Sequence, residues 1–120
     1  MRLFKNTWFS RFANKAGITD TELREAVNQL EAGQADADLG GNVCKVRVAR
    51  SGEGKSGGFR VIVFFKSEER TFYQYGFAKS DRGNIDQKEL RLYKKMAKTK
   101  LSMSEKELTS AVNAGELIEI

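Results

Sequence analysis

The apolar residues in the first quarter of the chain recur at helical spacing. In the segment TDTELREAVNQLEAG, residues 19–33, they stand at positions i, i+3, i+4 and i+7, the pattern of an amphipathic helix with one buried face. Thr19 or Asp20 can cap this helix, and Glu22 stands where it would complete a capping box with Thr19. The preceding TWFSRFANKAG, residues 7–17, predicts a shorter helix ended by Gly17, and MRLFKN before it predicts a short strand.

From Val43 onward the period of the apolar residues changes to two. CKVRVAR alternates between apolar and basic residues, whereas FRVIVFFK is β-branched and aromatic, which is typical of a central strand. TFYQYGFAK predicts one more strand, and the polar segments SGEGKSGG and SEER between the three predict turns. This part of the chain therefore reads as an antiparallel meander.

The last third returns to helical spacing. IDQKELRLYKKMAK predicts one helix, SMSEKELTSAVNAG predicts a second that Ser102 or Ser104 caps, and LIEI predicts an edge strand. The fold class predicted is α+β, with two N-terminal helices, a three- or four-stranded antiparallel sheet and one or two C-terminal helices. At 120 residues we expect a single domain, 1–120, with a basic sheet and helix at 43–100 and a tail at 101–120 without an assigned role.

Charge is segregated along the chain. The net charge is +5, yet residues 45–100 carry fifteen basic and six acidic side chains, a net of +9, while the residues before and after them are net acidic. Such segregation predicts a face suited to a polyanion. One cysteine and no histidine make a zinc site improbable, remove the commonest general base, and leave no cofactor to be expected. Without an apolar run of membrane-spanning length, the expected location is the cytoplasm, with no membrane partner.

The stretch ARSGEGKS, residues 49–56, is one letter short of a nucleotide-binding P-loop. A P-loop begins with glycine, where this chain has Ala49, and it leads into a helix whose N-terminus holds the phosphates. Here the strand-like GGFRVIVFF follows instead. The stretch therefore predicts a basic hairpin rather than a site of nucleotide hydrolysis.

Strand alternation predicts a cationic surface on the meander. Lys45 and Arg47 project from one face of their strand, Arg60 can lie opposite them on the next, and the loop between carries Arg50 and Lys55. By the same period, one face of the last strand carries Tyr73, Tyr75, Phe77 and Lys79. Basic side chains bind phosphates and aromatic rings stack bases, so the combination favours RNA binding. Each feature alone is also typical of a solvated strand face, a turn or a packed tyrosine.

The combination KVRVAR…GKSGGFRVIVFF…FYQYGFAKSDRGNI resembles the RelE/HigB superfamily of bacterial type II toxins, and more narrowly its HigB-like branch. Specific motifs cover residues 40–100. The resemblance implies a small α+β toxin that cleaves mRNA in the ribosomal A site without a metal, through attack of a ribose 2′-OH on the adjacent phosphate. It also implies mRNA, rRNA and a cognate antitoxin as partners, the antitoxin being a helix-turn-helix protein of the HigA type. We expect the toxin to be monomeric when free.

The resemblance also implies which residues form the site. Arg60 matches the arginine that grips the scissile phosphate, and Lys45 and Arg47 match a pair of basic positions on the family's second strand. Because no tyrosine matches the family's C-terminal one, where Asp86 stands, Tyr75 or Tyr73 is the substitute. The predicted catalytic residues are Lys45, Arg47, Arg60, Lys79 and Tyr75. The predicted RNA-binding residues are Lys55, Arg50, Arg82, Tyr73, Lys94 and Lys95.

Two other functions remain open from the residues alone. One is inhibition of DNA gyrase by a toxin of the ParE-like branch, which has the same fold but needs no phosphate-cleaving cluster. The other is a nonenzymatic RNA-binding module that uses the cationic surface for affinity only. Cleavage of translated mRNA distinguishes the ribonuclease from both.

Overall fold

The computed structural model describes residues 1–49 and 58–120 of the chain. The helices are α1 (Thr7–Ala16), α2 (Asp20–Glu31), α3 (Gln87–Leu101) and α4 (Glu105–Asn113). The strands are β1 (Arg2–Asn6), β2 (Ala37–Asp38), β3 (Val43–Val48), β4 (Phe59–Lys66), β5 (Arg70–Ala78) and β6 (Leu117–Glu119). No helix in the described part is long and apolar enough to cross a membrane.

The described strands form one mixed sheet in the order β2-β3-β4-β5-β1-β6. The predicted α+β class is confirmed, but the expectation of three or four antiparallel strands is wrong in number and in arrangement, because β1 pairs with β5 in parallel. Helices α1 and α2 carry the chain away from β1 before the meander begins, so β1 can lie beside the last meander strand rather than the first. Strand β2 has only two residues, too few for a period to predict it.

The sheet separates two layers of helices, and each layer has its own apolar core. Helices α1 and α2 pack on one face through residues such as Phe9 and Leu23, against Val46 and Val61 of the sheet. Helices α3 and α4 pack on the other face, where Tyr93 and Leu108 join a second cluster of strand residues. Because β4 lies between β3 and β5 and is covered on both faces, its first six residues are all buried.

Local signals placed several helix ends correctly. The capping box of Thr19 and Glu22 begins α2, and Gly17, with a positive φ of 74°, ends α1 in the left-handed conformation that glycine favours. Of the two serines proposed as caps for the last helix, Ser104 is the one used, in a capping box with Glu107. The tail that follows α3 is part of the packed structure, since β6 pairs with β1 at the edge of the sheet.

A β-bulge interrupts the pairing of β4 with β5. Tyr75 pairs with Ile62, but the neighbouring Val63 pairs with Tyr73, so β5 has one extra residue between the two tyrosines. An inserted residue reverses the alternation of side chains that a regular strand imposes. Tyr75 therefore shares the α3–α4 face with Ile62, and Tyr73 lies on the α1–α2 face.

Candidate nucleic-acid interface

Three basic side chains meet where β3 and β4 pair. Arg47 stands directly opposite Arg60, and Lys45, two residues earlier on β3, stands opposite Ile62. Directly paired residues of an antiparallel ladder project from the same face. Lys45, Arg47 and Arg60, called here the cationic cluster, therefore lie together on the α3–α4 face, as the alternation predicted.

The members of the cationic cluster differ in their access to solvent. The Arg60 side chain is only 4% exposed, and that of Arg47 is 48% exposed. Lys45 is nearly as enclosed as Arg60, and its Nζ lies 3.4 Å from Oδ1 of Asn84, in the loop ahead of α3. The cluster thus extends from the packed sheet to the surface, with Arg47 as its outer member.

A carboxylate that was not predicted lies among these cations. Nε of Arg47 donates a hydrogen bond of 2.6 Å to Oδ1 of Asp36. The other carboxylate oxygen, Oδ2, lies 3.6 Å from Nζ of Lys45 and 3.8 Å from Nε of Arg60. Asp36 is itself largely enclosed, with a 10% exposed side chain. Asp36 is thus shared by all three basic side chains of the cationic cluster.

Opposing effects act on the pKa of Asp36. Burial raises it, but the hydrogen bond from Arg47 and the charges of Arg47, Lys45 and Arg60 together lower it, and the net result is a pKa below the ordinary value. Asp36 is therefore ionised at neutral pH. A carboxylate stabilised in this way is a weak proton acceptor.

The chain segment before the sheet edge sets the position of Asp36. Asp36 directly precedes β2, whose Ala37 pairs with Lys45. The alternation of residues gave no signal for this arrangement. Ala37 pairs with Lys45 and Asp38 pairs with Cys44, so a period of two would place Asp36 and Asp38 on the face opposite Lys45 and Arg47.

Aromatic rings continue the surface next to the cationic cluster. Phe77 of β5 stands opposite Arg60, and Tyr75, two residues earlier in β5, lies on the same face. The ring centroids of Tyr75 and Phe77 are 6.0 Å apart. The indole of Trp8, the only tryptophan of the chain, stacks on Tyr75 at 4.7 Å. Basic groups and aromatic rings thus adjoin across β3, β4 and β5, a combination that suits phosphates and unstacked bases.

Arg82 covers this aromatic row. Its guanidinium carbon lies 5.4 Å from the ring centroid of Phe77 and 5.9 Å from that of Tyr75, close enough for cation–π attraction. Glu89 on α3 holds it through hydrogen bonds of 2.6 and 3.2 Å. Asp86, which stands near the family tyrosine position, begins α3 instead, in a capping box with Glu89. Arg82 thus joins the predicted surface, whereas Asp86 serves the helix.

Tyr73 does not lie on this surface, and the prediction that it shares a face with Tyr75 is wrong. Its side chain is fully buried on the α1–α2 face, and its hydroxyl donates a 2.6 Å hydrogen bond to the carbonyl of Leu23. The reason is the extra β5 residue at Gln74, which reverses the alternation on which the prediction relied. Of the two tyrosines, Tyr75 alone adjoins the cationic cluster.

The remaining predicted residues lie around the site or outside its description. Lys79 is exposed just beyond the end of β5. Lys94 and Lys95 are exposed on α3, a helix that carries further exposed basic residues. The two predicted loop contacts, Arg50 and Lys55, fall outside the residues that the structure describes.

A mixed sheet covered by helices on both faces, with a cationic cluster and aromatic rings on one of them, defines a small α+β protein with a cationic surface. The chain matches the family model of the RelE toxin of the RelE/RelB toxin–antitoxin system over residues 1–120. Because this match spans the chain, the protein belongs to the RelE toxin family, as its motifs predicted. An antitoxin is therefore its partner, and toxins of this family are generally ribonucleases. The HigB-like branch stays a prediction.

Proposed function

We propose that this toxin inhibits translation by cleaving mRNA on the ribosome. The observation that carries the proposal is the pairing of Arg60 with Arg47 across β3 and β4, with Lys45 on the same face. Several cations gathered at one point suit the extra negative charge that a phosphodiester develops during cleavage. Such electrostatic stabilisation is commonly the largest single contribution to catalysis, and one well-placed donor contributes about 3–4 kcal/mol.

In the proposed reaction, the 2′-oxygen of a ribose attacks the adjacent phosphorus. The new P–O2′ bond forms as the P–O5′ bond breaks, which leaves a 2′,3′-cyclic phosphate and a 5′-hydroxyl. The proton of the 2′-OH passes to a base, and the departing 5′-oxygen takes up a proton. Arg60 holds the phosphate, and Arg47, opposite it at the surface, binds the charge of the pentacovalent state.

The proton acceptor is one of the groups near Arg60. Arg47 is unsuited because a guanidinium keeps its proton in proteins, so the role falls to Lys45 or Tyr75. Lys79 and Arg82 lie toward the far side of the site, near the end of β5, and are the candidates for stabilising the leaving oxygen. Comparing the pH–rate profiles of Lys45→Met and Tyr75→Phe would assign the base, since only loss of the base should remove the rise of the rate with pH that its deprotonation causes.

The proposal extends to the partners. A HigA-like helix-turn-helix antitoxin would neutralise the toxin by placing acidic side chains over the cationic cluster or by blocking entry to the ribosome. Exposed basic residues on α3, with Lys94 and Lys95 among them, would contact rRNA. The toxin would act in the cytoplasm as a monomer, because the ribosomal A site admits only a small body.

Inducible expression of the wild type beside Arg60→Ala tests the function, with growth followed and mRNA 5′ ends mapped. Arg70→Ala is the matched control, because Arg70 is another buried arginine but binds Met103 and Glu105 at the opposite end of β4 and β5. Growth arrest with cuts inside translated codons, lost in Arg60→Ala and kept in Arg70→Ala, is the expected result. Thermal unfolding of both variants establishes that each is folded.

Two other results would contradict the proposal and support a different function. Arrest without cuts would indicate a ParE-like action on gyrase, which a DNA supercoiling assay would then test. Normal growth with soluble toxin would favour a nonenzymatic RNA-binding module.

A further inference from the structure

The carboxylate of Asp36 occupies the place among the cations where a substrate anion would bind. It contacts each member of the cationic cluster, with one oxygen on Arg47 and the other toward Lys45 and Arg60. A carboxylate and a phosphodiester both share one negative charge between two oxygens, and arginine binds both in the same forked geometry. The site as folded thus already holds an anion of its own.

We propose that Asp36 is an internal competitor, which the substrate phosphate displaces from Lys45, Arg47 and Arg60 when RNA binds. The inference rests on the proposed function in one respect, that the ligand of the cluster is an RNA phosphate. In the free toxin, Asp36 then offsets part of the positive charge of the cationic cluster. RNA binding then includes an exchange of one anion for another.

The distances within the site favour such an exchange. Only the bond from Arg47, at 2.6 Å, is a hydrogen bond, whereas Lys45 and Arg60 lie 3.6 and 3.8 Å from Oδ2. At those separations the charges attract, but Asp36 forms no hydrogen bond with either group. A phosphate that enters between them can make contacts that Asp36 does not make.

The segment that carries Asp36 is lightly attached. It lies at the edge of the sheet, where β2 joins β3 through two residue pairs. Among the described residues, Asp36 has one hydrogen bond, to Arg47, whose side chain is about half exposed, and an ion pair with an exposed partner contributes little stability. Asp36 itself belongs to neither apolar cluster, although its neighbour Ala35 packs against the α1–α2 cluster, so the displacement that we propose is one of the Asp36 side chain.

Asp36→Asn tests the competition, with Asp38→Asn as the matched control. Asp38 is two residues away and exposed, and its Oδ1 accepts a hydrogen bond from the backbone N–H of Gly40, which an asparagine side chain can also do. Both variants raise the net charge by one, but only the first removes the carboxylate from the cationic cluster. Asp36→Glu keeps the negative charge, so this variant should bind RNA with an affinity near that of the wild type.

The probe is a short single-stranded 2′-O-methyl RNA, which has no nucleophilic 2′-OH and stays intact. Fluorescence anisotropy at low salt should show Asp36→Asn binding about tenfold more tightly than the wild type, a gain of about 1.4 kcal/mol. Asp38→Asn should stay within about twofold of the wild type, as is usual for surface changes. The gain should shrink as salt is added, because ions screen the removed repulsion.

Thermal unfolding without RNA separates competition from a purely structural role. If Asp36 only supports the fold, replacing it should lower both the stability and the RNA affinity of the toxin. If Asp36 is a competitor, replacing it should lower the stability and raise the RNA affinity. Equal or weaker binding by Asp36→Asn than by Asp38→Asn, including no binding by any of the proteins, would overturn the proposal.

A second measurement needs no variant. In wild-type toxin labelled with carbon-13, the carboxyl signal of Asp36 should move toward that of a solvated carboxylate as the RNA is added, and an unmoved signal in the bound protein would contradict displacement. The two proposals fail separately. Tighter binding by Asp36→Asn without mRNA cleavage in cells would retain the competition and remove the ribonuclease.

Discussion

Replacing Tyr73 with phenylalanine tests the bulge in β5 and the resulting division of the two tyrosines. Tyr73→Phe removes one oxygen from a side chain that is fully buried on the α1–α2 face. That oxygen donates a hydrogen bond of 2.6 Å to the carbonyl of Leu23 on α2, and so joins the sheet to a helix. Burial also raises the pKa of Tyr73 well above its ordinary value, so the hydroxyl keeps its proton at physiological pH and acts as a donor.

The size of the effect follows from what the substitution leaves behind. A buried hydrogen bond between neutral groups contributes about 0.5–1.5 kcal/mol net. The carbonyl of Leu23 lies inside α2, where the helical pattern supplies a second donor four residues later, so it is not left without a partner. We therefore expect Tyr73→Phe to lower the free energy of unfolding by about 1 kcal/mol. This is less than the loss expected when a buried polar group is left without any hydrogen-bond partner.

Urea unfolding and growth arrest measured on the same variants provide the assay. Tyr75→Phe is the control, because Tyr75 is only half buried and lies on the opposite face beside the cationic cluster. We expect Tyr73→Phe to lose stability and keep its toxicity, and Tyr75→Phe to stay within about 0.5 kcal/mol of the wild type. If Tyr75 is the proton acceptor, Tyr75→Phe also loses toxicity. A Tyr73→Phe toxin that is fully stable but inactive would refute the assignment of the two faces.

Two further predictions concern packing and pH. Gly76→Ala should lower the free energy of unfolding by about 1–3 kcal/mol in urea, because the added Cβ would overlap the ring of Phe12. The control Gly83→Ala, whose Cβ would meet nothing within 4 Å, should change it by less than about 0.5 kcal/mol, and equal losses would contradict this packing. The lowered pKa of Asp36 stabilises the folded state above the unfolded pKa of about 3.9, and this contribution disappears as the pH falls through the lower folded pKa. The wild type should therefore unfold at a higher urea concentration than Asp36→Asn at pH 7, and this difference should narrow as the pH falls below about 3.9. A difference that does not change with pH would show that the charge of the carboxylate does not cause it.

Much of the fold was predictable because its signals are local. The periods of 3.6 and two identified the helices and the main strands, and the capping box of Thr19 and Glu22, together with Gly17, placed helix ends to within a residue or two. The same reasoning placed Lys45, Arg47 and Arg60 on one face, because no bulge interrupts the pairing of β3 with β4. These features depend on neighbours in the chain or on one ladder of regular pairs.

The sequence by itself thus determined the element types, the segregation of charge and the family, all of which are contained in short runs of residues. Tertiary structure alone decided the parallel pairing of β1, the separation of Tyr73 from Tyr75 and the position of Asp36. The parallel pairing of β1 depends on the path of the chain through α1 and α2. The separation of the two tyrosines depends on one extra residue in β5, which shifts the register of its pairing with β4. The position of Asp36 depends on a two-residue strand that brings a loop carboxylate to cations nine or more positions away in the chain. Contacts of this kind leave no periodic trace, because their energy comes from groups that meet only after folding.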